Sequence, residues 1–324
     1  MPDALRLQIG PLRKTEVDEA HRIMNLAFGT FLGLPDPMAF MGDRKFILPR
    51  SRARNTKLIA ARHNGRLIGF NVLTRWGSFG YFGPLVVLPE FWDKGVAQRL
   101  LEVTTRTFDA WGVRHSGLFT FAHSAKHVGL YMKAGYWPRN LTALLSRKFD
   151  GPAETPNAET PSAAAPTLLS SLPRTERQKA IAACRRLTNA LDRGLDLTAE
   201  IESLLRQRTG DVILVQNRRT LDAFALCATG PGSEGGEKAG YLKFAAARPG
   251  PGAGSRFDRL LAACDAFARP RGLTLEAGCN LAREDAFRRM RAHGYRPMTQ
   301  GIAMHRPNVP GFNREDAYVI DDWR

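Results

Sequence analysis

Apolar positions along the chain switch repeatedly between a spacing near 3.6 and a spacing of two, which predicts alternating helices and strands. A helix is predicted to begin at Thr15, where the first residues resemble a capping box and apolar residues then follow on one face. Residues 57–74 predict a β-hairpin that turns at Asn64-Gly65, the strongest short hairpin signal. Further strands are predicted at 81–88, 116–121 and 141–146, and further helices at 95–111 and 124–134. This order predicts a mixed, mostly antiparallel sheet with helices on both faces, closed by the strand at 141–146.

The second half of the chain repeats this alternation. Helices are predicted at 175–191, 197–206, 257–268 and 285–293, and strands at 212–216, 221–227, 242–246 and 273–277. Three pairs of residues recur at offsets of 160, 160 and 159: Leu100-Leu101 with Leu260-Leu261, Trp111-Gly112 with Arg271-Gly272, and Gly135-Tyr136 with Gly294-Tyr295. A nearly constant offset over three positions predicts an internal duplication.

A segment of unusual composition separates the two halves. Residues 151–166 are rich in Pro, Ala, Thr and Glu and show no apolar periodicity. Such a segment cannot bury a core, so we predict an extended linker. The fold prediction is therefore an α/β (α+β) chain of two tandem domains, residues 1–150 and 167–324, each built on its own sheet.

The formal net charge of +16 favours an anionic partner. Residues 1–150 carry 22 Lys and Arg against 11 Asp and Glu, and the remainder carries 25 against 20. However, 37 of the 47 basic residues are Arg and they are scattered over every segment. Without a recognition motif or interleaved aromatic residues, the charge alone is a weak argument for nucleic-acid binding.

Other compositional features narrow the class of protein. No apolar run approaches the roughly 20 residues that span a bilayer, and the first residues carry no apolar signal core, so we predict a soluble cytoplasmic protein. The four cysteines show no C-x-x-C spacing, which argues against a structural zinc site and favours buried free thiols. They are Cys184, Cys227, Cys264 and Cys279.

The stretch from Leu85 to Leu101 contains the most informative chemistry, since a strand runs through a proline turn into a helix. Gly95 and Ala97 lie at the start of that helix, where backbone N–H groups are unpaired and the helix dipole is positive. Small side chains there let a pyrophosphate approach those donors, and Lys94 adds a positive charge. Taken alone, the same pattern also fits an ordinary strand-to-helix turn.

This stretch resembles the acyl-CoA binding segment of the GNAT superfamily of N-acetyltransferases. The family pattern is V-x-P, then a basic residue or Gln, two spacers, Gly, a spacer, and Gly or Ala. Val87, Pro89, Gly95 and Ala97 match it, whereas Trp92 stands where the family usually has Arg or Gln.

A second segment, Ser124 to Tyr136, resembles the other family pattern, N-x-x-A-x-x-L-Y followed after three residues by G-F or G-Y. Leu130 and Tyr131 match it, and so does the pair Gly135-Tyr136. Ser124 replaces the usual Asn and His127 replaces the usual small residue. Two linked motifs at the right separation are far more specific than either alone, and the resemblance covers most of residues 5–148.

The resemblance implies two tandem GNAT-like domains and direct transfer of an acetyl group from acetyl-CoA, the co-substrate, to a primary amine of a small molecule or protein, with no metal. Backbone N–H groups near Val86 would polarise the thioester carbonyl, and Tyr131 would give a proton to the leaving thiolate. The candidate base is His127, with His123 and Glu90 as alternatives. The predicted cofactor-binding residues are Leu85, Val86, Val87, Trp92, Asp93, Lys94, Gly95, Val96, Ala97, Gln98 and Ser124.

Two further segments have open interpretations. The apolar segment 28–41 is either a cover for the acceptor site, as in the family, or an ordinary irregular loop. The basic run 50–57 either meets an anionic acceptor or a CoA phosphate, or is a solvated charged face.

The second copy departs from the motif. Alignment on the leucine pairs places Ser255 at the Gly95 position and Phe257 at the Ala97 position, where Phe would crowd a pyrophosphate. Alignment on the Gly-Tyr pairs places Met290 at the Tyr131 position. We therefore expect a working site in the first copy alone, with the second acting as a scaffold, a wall of the substrate site or a homodimer contact. The alternatives are a non-catalytic acetyl-CoA sensor and, on charge alone, a nucleic-acid-associated protein.

Overall fold

Helices and strands alternate through both halves, as the periodicity predicted. The computed structural model describes residues 6–149, 166–217 and 220–324. The strands of the first half are β1 (Leu7–Pro11), β2 (Thr56–His63), β3 (Arg66–Trp76), β4 (Phe79–Val87), β5 (His115–Thr120) and β6 (Trp137–Arg147). Its helices are α1 (Val17–Phe31), α2 (Ile47–Ser51), α3 (Val96–Ala110) and α4 (Ala125–Lys133). The linker prediction, 151–166, falls outside the described residues except for Pro166.

The second half repeats this order with one additional strand at its end. Its strands are β7 (Thr167–Leu168), β8 (Gly210–Asn217), β9 (Thr220–Gly230), β10 (Gly236–Ala247), β11 (Thr274–Asn280), β12 (Arg296–Arg306) and β13 (Val319–Ile320). Its helices are α5 (Arg174–Leu191), α6 (Thr198–Gln207), α7 (Ala253–Ala268) and α8 (Glu284–Ala292).

The two predicted sheets are joined into one continuous sheet. Its strand order is β1-β2-β3-β4-β5-β12-β6-β11-β10-β9-β8-β7, with β13 beside β10. Neighbouring strands are antiparallel except for the pairs β4–β5 and β10–β11. Mixed topology of this kind matches the fold class predicted from the sequence.

The join is an exchange of strands between the halves. β12 lies between β5 and β6, and β6 lies between β12 and β11, so the strand predicted to close the first sheet is central instead. Side-chain burial explains this placement. Ala143 and Leu145 on β6 bury in the core of the second half, whereas Met304 on β12 buries in the core of the first.

Local signals place the turns that shape the first half. Asn64 and Gly65 both have positive φ, 51° and 79°, as a two-residue turn of the primed type requires. On one face of the sheet α3 packs through Thr104, whose hydroxyl accepts a hydrogen bond from Asn71 on β3 at 2.7 Å.

Several compositional predictions can be compared directly with the structure. All four cysteines are free and buried, as predicted. Within residues 6–149, 166–217 and 220–324, none of the helices is long and apolar enough to cross a membrane. Across the same described ranges, His, Cys, Asp and Glu side chains form no group of three that could hold a metal ion.

Candidate active site

A cleft opens in the first half where the parallel strands β4 and β5 separate. The two strands pair only from Phe79 to Tyr81 on β4, although β4 continues to Val87 and β5 to Thr120. A cavity of about 520 Å³ lies at the open end, between the end of β4, the start of α3, the inner face of α4 and the last turns of α1. The unpaired edge of β4 therefore offers free backbone groups to an extended ligand.

The start of α3 forms one end of the cavity. Gly95 is its N-cap residue with φ of 77°, a left-handed conformation that favours glycine. The first-turn residues Val96, Ala97 and Gln98 all line the cavity. Their N–H groups have no partner inside the helix, so this end is suited to bind an anion.

The side chain of Trp92, which stands in place of the family's usual Arg or Gln, stabilises the turn before α3. Its indole N–H donates to the carbonyl oxygen of Val87 at 2.7 Å, which closes the turn between β4 and α3. The Lys126 ammonium lies 5.8 Å from the Trp92 ring centre and forms an ion pair with Asp93 at 2.6 Å. Trp92 thus stabilises the turn through its side chain and also lines the cavity.

Tyr131 on α4 lines the opposite wall and is buried. Its ring packs against Phe82 with centroids 5.8 Å apart, and its hydroxyl interacts with the Thr120 side chain. Burial raises the pKa of Tyr131 well above its ordinary value, although the hydrogen bond to Thr120 opposes the shift. The phenol therefore keeps its proton at neutral pH and can act as a proton donor.

His127 lies one turn before Tyr131 on the same helix face. Its ring is 4.8 Å from that of Phe31, and its Nδ1 is buried without a hydrogen-bond partner among the residues that the structure describes. Burial lowers the pKa of His127, and the neighbouring charge of Lys126 adds to this. The imidazole is consequently neutral near pH 7 and able to accept a proton.

Aromatic side chains surround the side of the cavity away from α3. Phe28 and Phe31 of α1 line it, together with Ala27. Phe31 lies 5.0 Å from Phe121, and Phe28 stacks on Phe40 at 5.2 Å. The sequence left segment 28–41 open between a cover for the acceptor site and an irregular loop. The structure places its first residues in the last turn of α1, where Phe28 and Phe31 form part of the cavity wall.

Most of the predicted site residues share this one cavity, but four do not. Lys94 instead lies over the Phe91 ring at 5.2 Å, and Ser124 caps α4, where its Oγ accepts from the His127 N–H at 3.4 Å. Neither they nor His123 and Glu90, the alternative bases, are lining residues. Those that do line it are Leu85, Val86, Val87, Trp92, Asp93, Gly95, Val96, Ala97, Gln98, His127 and Tyr131.

The second copy has a helix start of nearly the same geometry. Gly252 caps α7 with φ of 76° and ψ of 15°, close to the 77° and 0° of Gly95. The counterpart of Gly95 is therefore Gly252 rather than Ser255, and Gly254 rather than Phe257 corresponds to Ala97. The sequence alignment was wrong here because the helical segment of the second copy is longer by one turn, 269–271.

Phe257 does not crowd a phosphate site, because its side chain is fully buried in the core. The space beside Gly254 is taken instead by the guanidinium of Arg289. Arg289 in turn pairs with Asp258 at 2.5 Å and Asp285 at 2.8 Å.

The cleft of the second copy is also filled by the chain itself. β10 and β11 pair from Ala239 to Leu242 and then separate, as β4 and β5 do. β13 enters the gap and pairs with Ala245 and Ala246 of β10. The Asp321 N–H then donates to the Gly278 carbonyl of β11 at 3.0 Å. The second cleft therefore has no free strand edge comparable to that of β4.

The chain matches the Acetyltransferase (GNAT) family over residues 20–136, which contain every lining residue of the first cavity. The matched residues lie in the N-terminal half and make up little more than a third of the chain. No curated protein matches the chain in sequence.

Solved structures show that the GNAT fold extends over both halves. A protein of Pyrococcus horikoshii assigned as an acetyltransferase superposes with a TM-score of 0.68 at 13% identity, covering 98% of this chain and 95% of its own. A GCN5-related N-acetyltransferase from Sphaerobacter thermophilus gives 0.58 at 12% identity, covering 94% and 96%. A tandem GNAT protein from the clavulanic acid biosynthesis pathway gives 0.55 at 11% identity, covering 93% and 98%. The tandem GNAT architecture predicted from the sequence is confirmed.

Proposed function

We propose that this tandem GNAT protein is an N-acetyltransferase that uses acetyl-CoA at a single site, in the first half, and acetylates a primary amine. The observation that carries the proposal is the open cleft between β4 and β5, which leads from the start of α3 to Tyr131. The corresponding cleft of the second half is occupied by β13.

The residues of the cavity divide the work of the reaction between them. The first turn of α3 binds the pyrophosphate, and the free edge of β4 pairs with the pantetheine amides. A backbone N–H near Val86 polarises the thioester carbonyl. The amine nitrogen attacks the carbonyl carbon, forming the C–N bond as the C–S bond breaks. His127 takes the proton released from nitrogen, and Tyr131 gives a proton to the departing sulfur.

The aromatic wall suggests the kind of amine that is accepted. Phe28 and Phe31 line the cavity on the side away from α3, and Phe121 packs behind Phe31. Among the described residues that line the cavity, no acidic side chain lies on that side. The acidic lining residue Asp93 lies at the opposite end, near the start of α3. We therefore propose an acceptor in which the amine is next to an aromatic or branched apolar group.

The proposal is tested by titrating acetyl-CoA into the purified protein by calorimetry. One site per chain is expected. Gly95→Leu should abolish binding, because its side chain would project from the cap of α3 into the approach of the pyrophosphate. The matched control is Gly252→Leu, at a cap of the same conformation in the second half. A Cβ atom at either position would meet only a flexible side chain, at 3.7 and 3.5 Å. The backbone strain of about 1–2 kcal/mol is common to both substitutions.

Each result has a definite meaning. Binding that is lost with Gly95→Leu and kept with Gly252→Leu supports the single site. Two sites per chain would contradict it, and an absence of binding would refute the proposed function. Binding without turnover on a panel of aromatic and apolar primary amines would favour a non-catalytic acetyl-CoA sensor.

A further inference from the structure

A buried arginine connects the two halves directly beneath the first cleft. Arg50 of α2 has only 2% of its surface exposed, so the basic run 50–57 is not a uniformly solvated face. One of its guanidinium nitrogens, Nη1, donates to the carbonyl oxygen of Gly83 at 2.7 Å. Gly83 lies on β4 two residues after the last pair with β5 and two before the cavity-lining Leu85.

The other terminal nitrogen of the Arg50 guanidinium, Nη2, forms hydrogen bonds with residues of the second half. It donates to Glu234 at 2.8 Å and to the main-chain oxygen of Arg324 at 2.5 Å. Lys243 of β10 makes a second ion pair with Glu234 at 2.7 Å. Burial alone would raise the pKa of Glu234, but the charges of Arg50 and Lys243 lower it to about 2. The carboxylate therefore stays ionised and keeps Arg50 in one orientation.

Trp323 packs at the point where β4 and β5 begin to separate. Gly117 on β5 is so close to this ring that a Cβ atom there would lie 2.5 Å from it. The ring also lies 5.0 Å from that of Phe79 on β4 and is almost fully buried. Trp323 thus contacts β5 at its last pair with β4, and it contacts β4 two residues before that pair.

The same segment connects this contact to the second cleft. Residues 319–320 form β13, and the Asp321 main chain binds β11. Asp321 is also paired with Arg283, at 2.7 Å, and both side chains are buried. Segment 319–324 is therefore held in the second copy and ends at the base of the first.

We propose that Arg50 and Trp323 are positioning residues for acetyl-CoA, because they determine how β4 and β5 separate in the first cleft. The second cleft, which is occupied by β13, then serves to hold segment 319–324 in place. The inference rests on the proposed function, since it concerns the slot between β4 and β5 in which pantetheine would bind.

The test compares two ligands by calorimetry on the full chain. Acetyl-CoA needs both the phosphate site and the slot, whereas adenosine 3′-phosphate 5′-diphosphate needs only the phosphate site. Arg50→Lys keeps the charge but cannot hold Gly83, Glu234 and Arg324 together. We expect the Kd for acetyl-CoA to rise about tenfold, because small displacements of a binding strand are costly, and the Kd for the diphosphate to stay within about twofold.

The matched control is Arg62→Lys. Arg62 is also buried and is bound to Glu16 and to the main-chain oxygen of Pro11, away from the cleft. It should show a similar loss of melting temperature without the change in acetyl-CoA affinity. Trp323→Phe, which keeps an aromatic ring of smaller size, should behave as Arg50→Lys does and decides the question if that variant fails to fold.

The outcomes separate the two proposals. Unchanged acetyl-CoA affinity in both variants, or equal weakening of both ligands, would overturn the positioning role while leaving the proposed function intact. If the wild-type chain does not bind acetyl-CoA, the proposed function fails and this inference fails with it.

Discussion

Tyr131→Phe removes one hydroxyl group and leaves the packing of the ring against Phe82 in place. The hydroxyl interacts with Thr120, so its loss should lower the free energy of unfolding by only about 1 kcal/mol. As the proposed proton donor to the leaving sulfur, the hydroxyl should matter far more for turnover. Positioned acids contribute about 10²–10⁴-fold to a rate, or roughly 3–5 kcal/mol in the barrier. We therefore expect kcat to fall by at least about a hundredfold.

The assay measures steady-state turnover of acetyl-CoA with an accepted amine, together with the Kd for acetyl-CoA by calorimetry. The Kd should be almost unchanged, because the cofactor-binding backbone is not altered. The pKa of Tyr131 lies above its ordinary value of 10.0, so ionisation of Tyr131 should not reduce the wild-type rate below pH 10.

Tyr136→Phe is the matched control. Tyr136 is buried as well, its hydroxyl lies 3.1 Å from Ser116 Oγ, and it does not line the cavity. Its kcat should stay close to that of the wild type. A Tyr131→Phe enzyme that keeps its kcat within about threefold, or an equal loss in both variants, would refute the assignment of Tyr131 as the acid.

Two further predictions concern histidines. His127→Gln should lower kcat/KM at least about tenfold and remove the acidic limb of the pH profile of kcat/KM. In the wild type this limb lies below pH 6.5, because the pKa of His127 is lowered. A variant with the pH profile of the wild type would exclude His127 as the base. His115 and His305 are both buried, and the Nε2 atom of His115 lies 3.0 Å from the Nδ1 atom of His305. Burial lowers the pKa of His115 to about 4 and that of His305 to about 3. Below pH 6.5 the folded state binds fewer protons at these histidines than the unfolded state does. Their contribution to the free energy of unfolding is therefore fully present above pH 6.5 and is lost as the pH falls through about 4. Urea denaturation should show a loss of about 2 kcal/mol between pH 7.5 and 4.5 from His115 alone, and a flat profile would contradict this.

Features that depend on neighbouring residues were predictable from the sequence. The Asn64-Gly65 turn and the start of α3 at Gly95 need backbone conformations that a short stretch of sequence specifies. The lining residues from Leu85 to Gln98 follow from the same strand-turn-helix segment, so most of one wall of the cavity could be named in advance.

Features that depend on distant residues were not predictable. Arg50 belongs to a basic run that resembles a solvated face, and its buried position depends on Glu234, 184 residues further along the chain. The period of β6 shows that it is a strand but cannot show that its neighbours are β11 and β12. The alignment that placed Phe257 at the phosphate site failed because of a difference in length. Gly252 and Gly272 of the second copy are separated by three more residues than Gly95 and Gly112, their counterparts in the first.

The exchange of β6 and β12 also sets the order in which this protein can be completed during synthesis. The strand that fills the gap between β5 and β6 is β12, which ends at Arg306, so the first sheet stays unfinished until residue 306 has been synthesised. Until then the nascent first copy exposes two strand edges, which are templates for pairing with other chains. The first copy therefore depends on β12 of the second copy to cover these two edges, and the two halves are joined in folding as well as in sequence.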